Sequence, residues 1–225
     1  MVKEKQKDNF QATKIANSLA IGGMIGAGKS TLSRALGDYL NIPVVYELKE
    51  NDPLQDLLIQ KMYEGDAVGA ITFQVYFFWN RFENYKLQSK SKKPSVFDRT
   101  IFEDRLFAYQ NMINDPVVFK FYEGIWNEKA KEMIYSVGVP KLYIILDIKW
   151  EDFKKRLFER GRKSETDNFD QNETYFKAIH DGYTDYLVKI CKIYQINYMI
   201  LDATIPTEKQ VEMIMAKIKQ ENISF

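Results

Sequence analysis

The chain has 225 residues, room for one sizeable core rather than two, and its 45% hydrophobic and 28% charged side chains exclude an intrinsically disordered polymer. Lys and Arg (32) nearly balance Asp and Glu (31), so no broad field draws it to nucleic acid or to an anionic membrane, and any anion site must be local. One cysteine, Cys191, and one histidine exclude an intramolecular disulfide and a Cys/His zinc set, which fits a reducing cytoplasm and an inert, buried thiol.

The first residues, MVKEKQKDNFQATK, are polar with no small-residue cleavage site, so residues 1–17 are expected to be a flexible segment rather than a secretory signal, and residues 18–225 a single domain. An apolar run then predicts a strand at 19–22, and it is too short to span a bilayer, which takes about 20 residues. Directly after it, Gly23, Met24, Ile25, Gly26, Ala27, Gly28, Lys29 and Ser30 satisfy GxxxxGK[ST], followed by Thr31 and a helix predicted over 29–40. Glycines let backbone N–H groups turn inward on a polyphosphate, and the helix adds its positive dipole end. Lys29 is expected to reach the β- and γ-phosphates and Ser30 to ligate Mg²⁺, which makes ATP the expected phosphate donor.

The next strand, 44–46, ends at Glu47, where a carboxylate beside the phosphate loop can accept a proton from an attacking hydroxyl. Helices are predicted over 53–63 and 68–88, then a solvated basic loop at 89–94. The strand at 95–97 runs into Asp98 and Arg99, an acid for the metal's water shell and a fixed cation for transferring phosphate. Helices follow at 103–110 and 116–136. The strand at 142–146 ends at Asp147, which by spacing alone rivals Asp98 for the metal. On the helix predicted over 150–160, Arg156 and Arg160 lie four apart on one face, and Gly161 ends that helix and throws Arg162 forward, the pattern of a lid that closes over a triphosphate. A helix at 172–194, a strand at 198–201 and a helix at 206–219 complete the chain. Continuous apolar strands alternating with helices predict an α/β fold, a five-stranded parallel sheet with helices on both faces, of the P-loop NTPase type with an arginine-rich lid. Ligands of such sheets bind at the strands' carboxyl ends.

With these motifs in this order, the chain from residue 18 onward resembles the deoxyribonucleoside kinase family. IGAGKSTL looks like the family's phosphate loop, Glu47 its general base, Phe73, Gln74 and Arg81 its FQ helix, Asp98-Arg99-Thr100 its [DE]RS and Arg156 through Glu165 its RxxxRGRxxE lid. The resemblance implies that Gln74 reads the base edge with Arg81 and Asp104 beside it, that Tyr63 and Glu165 hold the 3′-hydroxyl, and that Phe102 and Tyr76 stack on the base. It implies a deoxyribonucleoside substrate, a homodimer and feedback by a deoxynucleoside triphosphate. Asp98 in place of glutamate resembles bacterial members acting on deoxyadenosine or deoxyguanosine, with deoxycytidine also open. His180 matches a histidine of the family's post-lid helix and reads as structural. Leu48, Lys49 and Glu50 stand where the family has a proline after its glutamate. A nucleoside monophosphate kinase and a non-catalytic nucleotide-binding subunit are the competing readings; Glu47, which would repel an acceptor phosphate, argues against the first.

Overall fold

The computed structural model describes residues 13–47, 52–65, 67–167 and 169–224. Its centre is strand β1 (Ser18–Gly23), six residues without a polar face and all buried, as a strand covered on both sides must be. Beside it run β3 (Ser95–Asp98) and β4 (Leu142–Asp147), with β2 (Val44–Val45) outside β3 and β5 (Tyr198–Asp202) outside β4. Among the described residues the sheet is thus five-stranded in the order β2-β3-β1-β4-β5, every pairing parallel. The fold expected from the sequence is the fold observed.

Helix α1 (Lys29–Leu40) packs against α9 (Thr207–Gln220), and α8 (Phe169–Ile193) against α4 (Asp104–Asn111). The chain leaves β1, crosses to β2 on one flank and later to β4 on the other, so the strand order reverses beside β1 and a crevice opens at the carboxyl ends of β1 and β3. In register, Asp98 lies opposite Ile21, which brings the end of β3 to the start of the phosphate loop.

Helix α2 (Pro53–Tyr63) starts where Asp52 accepts hydrogen bonds from the N–H groups of Leu54 and Gln55 at 3.1 and 3.2 Å, with proline at the first helical position. The long α3 (Ala67–Lys90) packs against it. Helix α5 (Pro116–Glu132) ends earlier than the 116–136 predicted from periodicity: its last turn widens to a π-helical one over Met133–Val137 and stops at Gly138, whose φ of 115° and close approach to Ala16 exclude a side chain. Helix α6 (Trp150–Arg160) terminates at Gly161 in the left-handed region, as expected, and a single turn, α7 (Lys163–Thr166), links it to α8.

The boundary expected at residue 18 needs correcting. Backbone bonds of 2.8 Å join Ala16 to Val139, Val139 to Lys14 and Lys14 to Ile134, so the described residues before 18 belong to the domain; residues 1–12 lie outside those described. Cys191 is buried and its thiol is pushed up to about 12 by desolvation, the inert cysteine expected. No helix among the described residues is long and apolar enough to cross a membrane.

Candidate active site

The loop from Gly23 to Gly28 leaves β1 and enters α1, and its turn depends on residues without side chains: Gly26 and Gly28 have φ of 74° and 93°. Lys29 is buried and donates to the Met24 carbonyl at 3.0 Å; burial, then the charge of Arg99, lowers it to about 8 against the opposing pull of Asp98 and Glu47. Ser30 donates to Asp98 Oδ2 at 2.5 Å. The other oxygen, Asp98 Oδ1, is buried without a hydrogen-bond partner, and burial raises the pKa of this carboxyl. A hard cation suits that orphaned oxygen beside a serine hydroxyl, and two protein oxygens completed by phosphate and water are the donor set magnesium takes. Asp147, the rival acid, accepts instead from the Thr184 hydroxyl at 2.6 Å.

Five charged side chains meet at the ends of β2 and β3. Glu47 lies 2.7 Å from Arg81 Nη2 and 2.9 Å from Arg99 Nε. Arg81 also pairs with Asp104, and Arg99 with Glu103 at 2.9 Å. Three acids share two arginines, so one acid is short of a partner. Desolvation alone would raise Glu47, yet Arg99, Arg81 and Lys29 outweigh it and hold the carboxylate at about 2. Asp104, with one arginine and with Glu47 and Glu103 close by, is pushed up to about 7 by burial. Arg99 itself has φ of 74°, unusual for a residue with a side chain, and its guanidinium lies over the Phe107 ring at 4.7 Å.

A single cavity wall carries most of the predicted residues: Ile25, Lys29, Ser30, Glu47, Tyr63, Gln74, Arg81, Asp98, Arg99, Asp104, Arg160, Arg162 and Glu165 all line it. Gln74 is buried with its amide nitrogen unpartnered, an uncompensated donor next to the cavity. Glu165, on α7, pairs with Arg160 and lies 3.9 Å from Arg162.

Three placements differ from expectation. Tyr76 faces away from this wall, its hydroxyl donating to Asp52 at 2.8 Å, because α3 turns Phe73, Gln74 and Phe77 inward and leaves Tyr76 on its outer side. Phe102 is fully buried and stacks on Tyr194 with centroids 5.7 Å apart, so it is core rather than a base platform. Arg156 is near the loop but not on the cavity wall: it donates to the carbonyls of Ala27 at 3.2 Å and Ala203 at 2.8 Å. His180 is structural, 2.8 Å from the Ile148 carbonyl. Leu48, Lys49 and Glu50 lie outside the described residues.

Sequence reasoning missed the apolar lining, Ile59, Met62, Phe77, Phe107 and Tyr175, and it missed Glu103. Helical spacing could not have found Glu103, since Arg99 lies in the turn before α4 with φ of 74° and their contact is made by that turn.

The sequence profile described as deoxynucleoside kinase matches residues 19–224. The chain belongs to the deoxynucleoside kinase family. A deoxyguanosine kinase of Lactobacillus johnsonii is 31% identical, covering 72% of this chain and 72% of its own. An uncharacterised protein of Mycoplasma genitalium is 44% identical over 98% of this chain and 97% of its own. The solved structure of a deoxyadenosine kinase from M. mycoides, with products dCMP and a flexible dCDP bound, superposes with a TM-score of 0.73 at 25% identity, covering 90% of this chain and 99% of that one. Membership, with relatives that are deoxyadenosine and deoxyguanosine kinases, makes this chain a kinase of nucleoside salvage.

Proposed function

We propose that this kinase phosphorylates the 5′-hydroxyl of deoxyadenosine, and more weakly of deoxycytidine and deoxyguanosine, with ATP as donor. The observation that carries the base assignment is the pair of buried, unpartnered atoms beside the cavity, Gln74 Nε2 and Asp104 Oδ2. An amide N–H needs a ring-nitrogen acceptor and a carboxylate oxygen needs an amino donor, which adenine and cytosine offer on one edge. Thymine presents a carbonyl to the carboxylate and is disfavoured.

In this reading the backbone from Gly23 to Ser30, with Thr31 following, cradles the donor phosphates, Arg156 braces that loop against the turn after β5, and Arg160 and Arg162 cover the transferred group. Tyr63 and Glu165 receive the 3′-hydroxyl. Glu47 takes the proton of the 5′-hydroxyl as its oxygen bonds to the γ-phosphorus and the bond to the bridging oxygen of ADP breaks. A carboxylate held at about 2 is a weak base, which suits a loose transition state in which the proton leaves late. Lys29 and Arg99 take up charge on the transferred group. Ser30 and Asp98 are the residues that would hold Mg²⁺, which would screen the charge of the donor phosphates.

A homodimer is part of the proposal, supported by the exposed Trp79 and Leu87 on α3 and Val117 and Phe121 on α5, two helices in contact with each other. So are a cytoplasmic location and inhibition by a deoxynucleoside triphosphate, supported by the M. mycoides relative having been solved with bound dATP. The test is steady-state phosphorylation of deoxyadenosine, deoxyguanosine, deoxycytidine, thymidine and dAMP with ATP and Mg²⁺. Deoxyadenosine is expected to give the highest kcat/KM and thymidine the lowest; a preference for thymidine overturns the base assignment.

A further inference from the structure

Glu103 is the least accounted for of the buried charges. Its carboxylate is 1% exposed and off the cavity wall, so it does not touch substrate. Nor does it cap α4, although it occupies the N-cap position, for it makes no cap hydrogen bond there. Burying an acid this fully is costly unless every oxygen is engaged. Both are. Oε1 accepts from the Tyr143 hydroxyl at 2.6 Å and the Thr100 N–H at 3.4 Å; Oε2 accepts from Arg99 Nη1 at 2.9 Å and from the Tyr183 hydroxyl. The same Tyr183 oxygen accepts from the N–H of Gly23 at 3.0 Å and from Arg99 at 3.3 Å.

We propose that Glu103 is a positioning residue for phosphoryl transfer, the permanent counter-ion that holds Arg99 in place and ties it, through Tyr183, to the first residue of the phosphate loop. This rests on the reading of Arg99 as the cation facing the transferred group. Arg99 has two acidic partners with different duties. Glu47 becomes neutral when it takes the hydroxyl proton and then no longer pairs with Arg99. At that moment the arginine must face the charge on phosphorus and not swing with the departing partner. Glu103 lies off the cavity wall and takes no part in the proton transfer, so its bond to Arg99 persists. The left-handed backbone at Arg99 adds a reason for a second anchor, since that conformation persists only where its surroundings impose it. Tyr183 makes the spacing between Arg99 and the loop a property of one hydroxyl, so cation and cradle are set together.

The deciding experiment measures kcat and both KM values for the full chain with deoxyadenosine and ATP in Glu103→Gln, Arg99→Lys and the double variant, with Tm recorded for each. Glu103→Gln is expected to lower kcat about 10- to 100-fold with each KM within about threefold, and the double variant to be within about twofold of Arg99→Lys alone, because residues acting as a unit are not additive. A Glu103 that merely supports the fold gives losses that multiply, and that outcome, or a kcat for Glu103→Gln within about twofold of the parent, overturns the inference while leaving Arg99 its role. An unchanged kcat in Arg99→Lys overturns the reading of Arg99 and the inference with it. Should Glu103→Gln lack a cooperative melting transition, Tyr183→Phe decides in its place: a kcat about three- to tenfold lower that is not compounded by Arg99→Lys supports the inference, and an unchanged kcat overturns it.

Discussion

The two ends of the cleft are built on different principles. In the proposed reading the donor end is a contiguous stretch, residues 23–31, in which backbone N–H groups and a helix terminus would do the binding, with Lys29 and Ser30 as the side chains assigned a role. The proposed nucleoside end draws Glu47, Tyr63, Gln74, Arg81, Asp104 and Glu165 from separate elements, and Gln74 Nε2 and Asp104 Oδ2 are buried there without a hydrogen-bond partner. A backbone site tolerates side-chain change and recognises a charge common to all triphosphates. A site of converging side chains is specific and fragile, because each loss leaves a partner buried and unpaired.

Substitutions should separate the ends cleanly. The largest effect is expected at Glu47, which belongs to both: Glu47→Gln should lower kcat by about 10²- to 10⁴-fold, the usual worth of a positioned base, and a loss below about fivefold would remove it from proton transfer. Next comes Gln74→Leu, which replaces the unpartnered amide with a shape of similar volume. It should lower kcat/KM for deoxyadenosine about 10- to 100-fold while leaving KM for ATP within about twofold, and a shift in the ATP value of the same size would blur the division between the ends.

The pH profile sharpens the comparison further. Burial raises Asp104 to about 7, so its carboxylate form, the one that accepts from an amino group, is lost as pH falls through that value. The kcat/KM for deoxyadenosine in the free enzyme should therefore drop toward about tenfold per unit below pH 7, and Asp104→Asn should abolish that limb. A limb that survives in Asp104→Asn assigns it to another group. The smallest effect is expected at Arg156, which supports the loop from outside the cavity: Arg156→Ala should raise KM for ATP about three- to tenfold with little change in that for deoxyadenosine.

How much was legible follows the same division. The phosphate loop announces itself because its residues are adjacent and its glycines are required by backbone geometry, so sequence spacing is spatial spacing. The sheet was equally open to reading, since its central strands are continuous apolar runs, and the reversal of strand order beside β1 then brought Asp98 to Ser30. Gln74, Arg81 and Asp104 were found through the family resemblance, not through any local pattern, and the same route put Tyr76 and Phe102 in the base pocket, where neither is found.

By itself, then, the amino-acid sequence determined the alternation of strand and helix, the cradle and the identity of the acids at the strand ends, because these depend on periodicities and turns of a few residues. Only the tertiary structure decided which way α3 presents its aromatics, which oxygen of Asp98 is left for a cation, and that Glu103 and Tyr183 join Arg99 to Gly23. Those depend on helix rotation and on contacts between residues as far apart as 23 and 183, and pairing over such separations is set by the packing of the whole core rather than by any segment's own pattern.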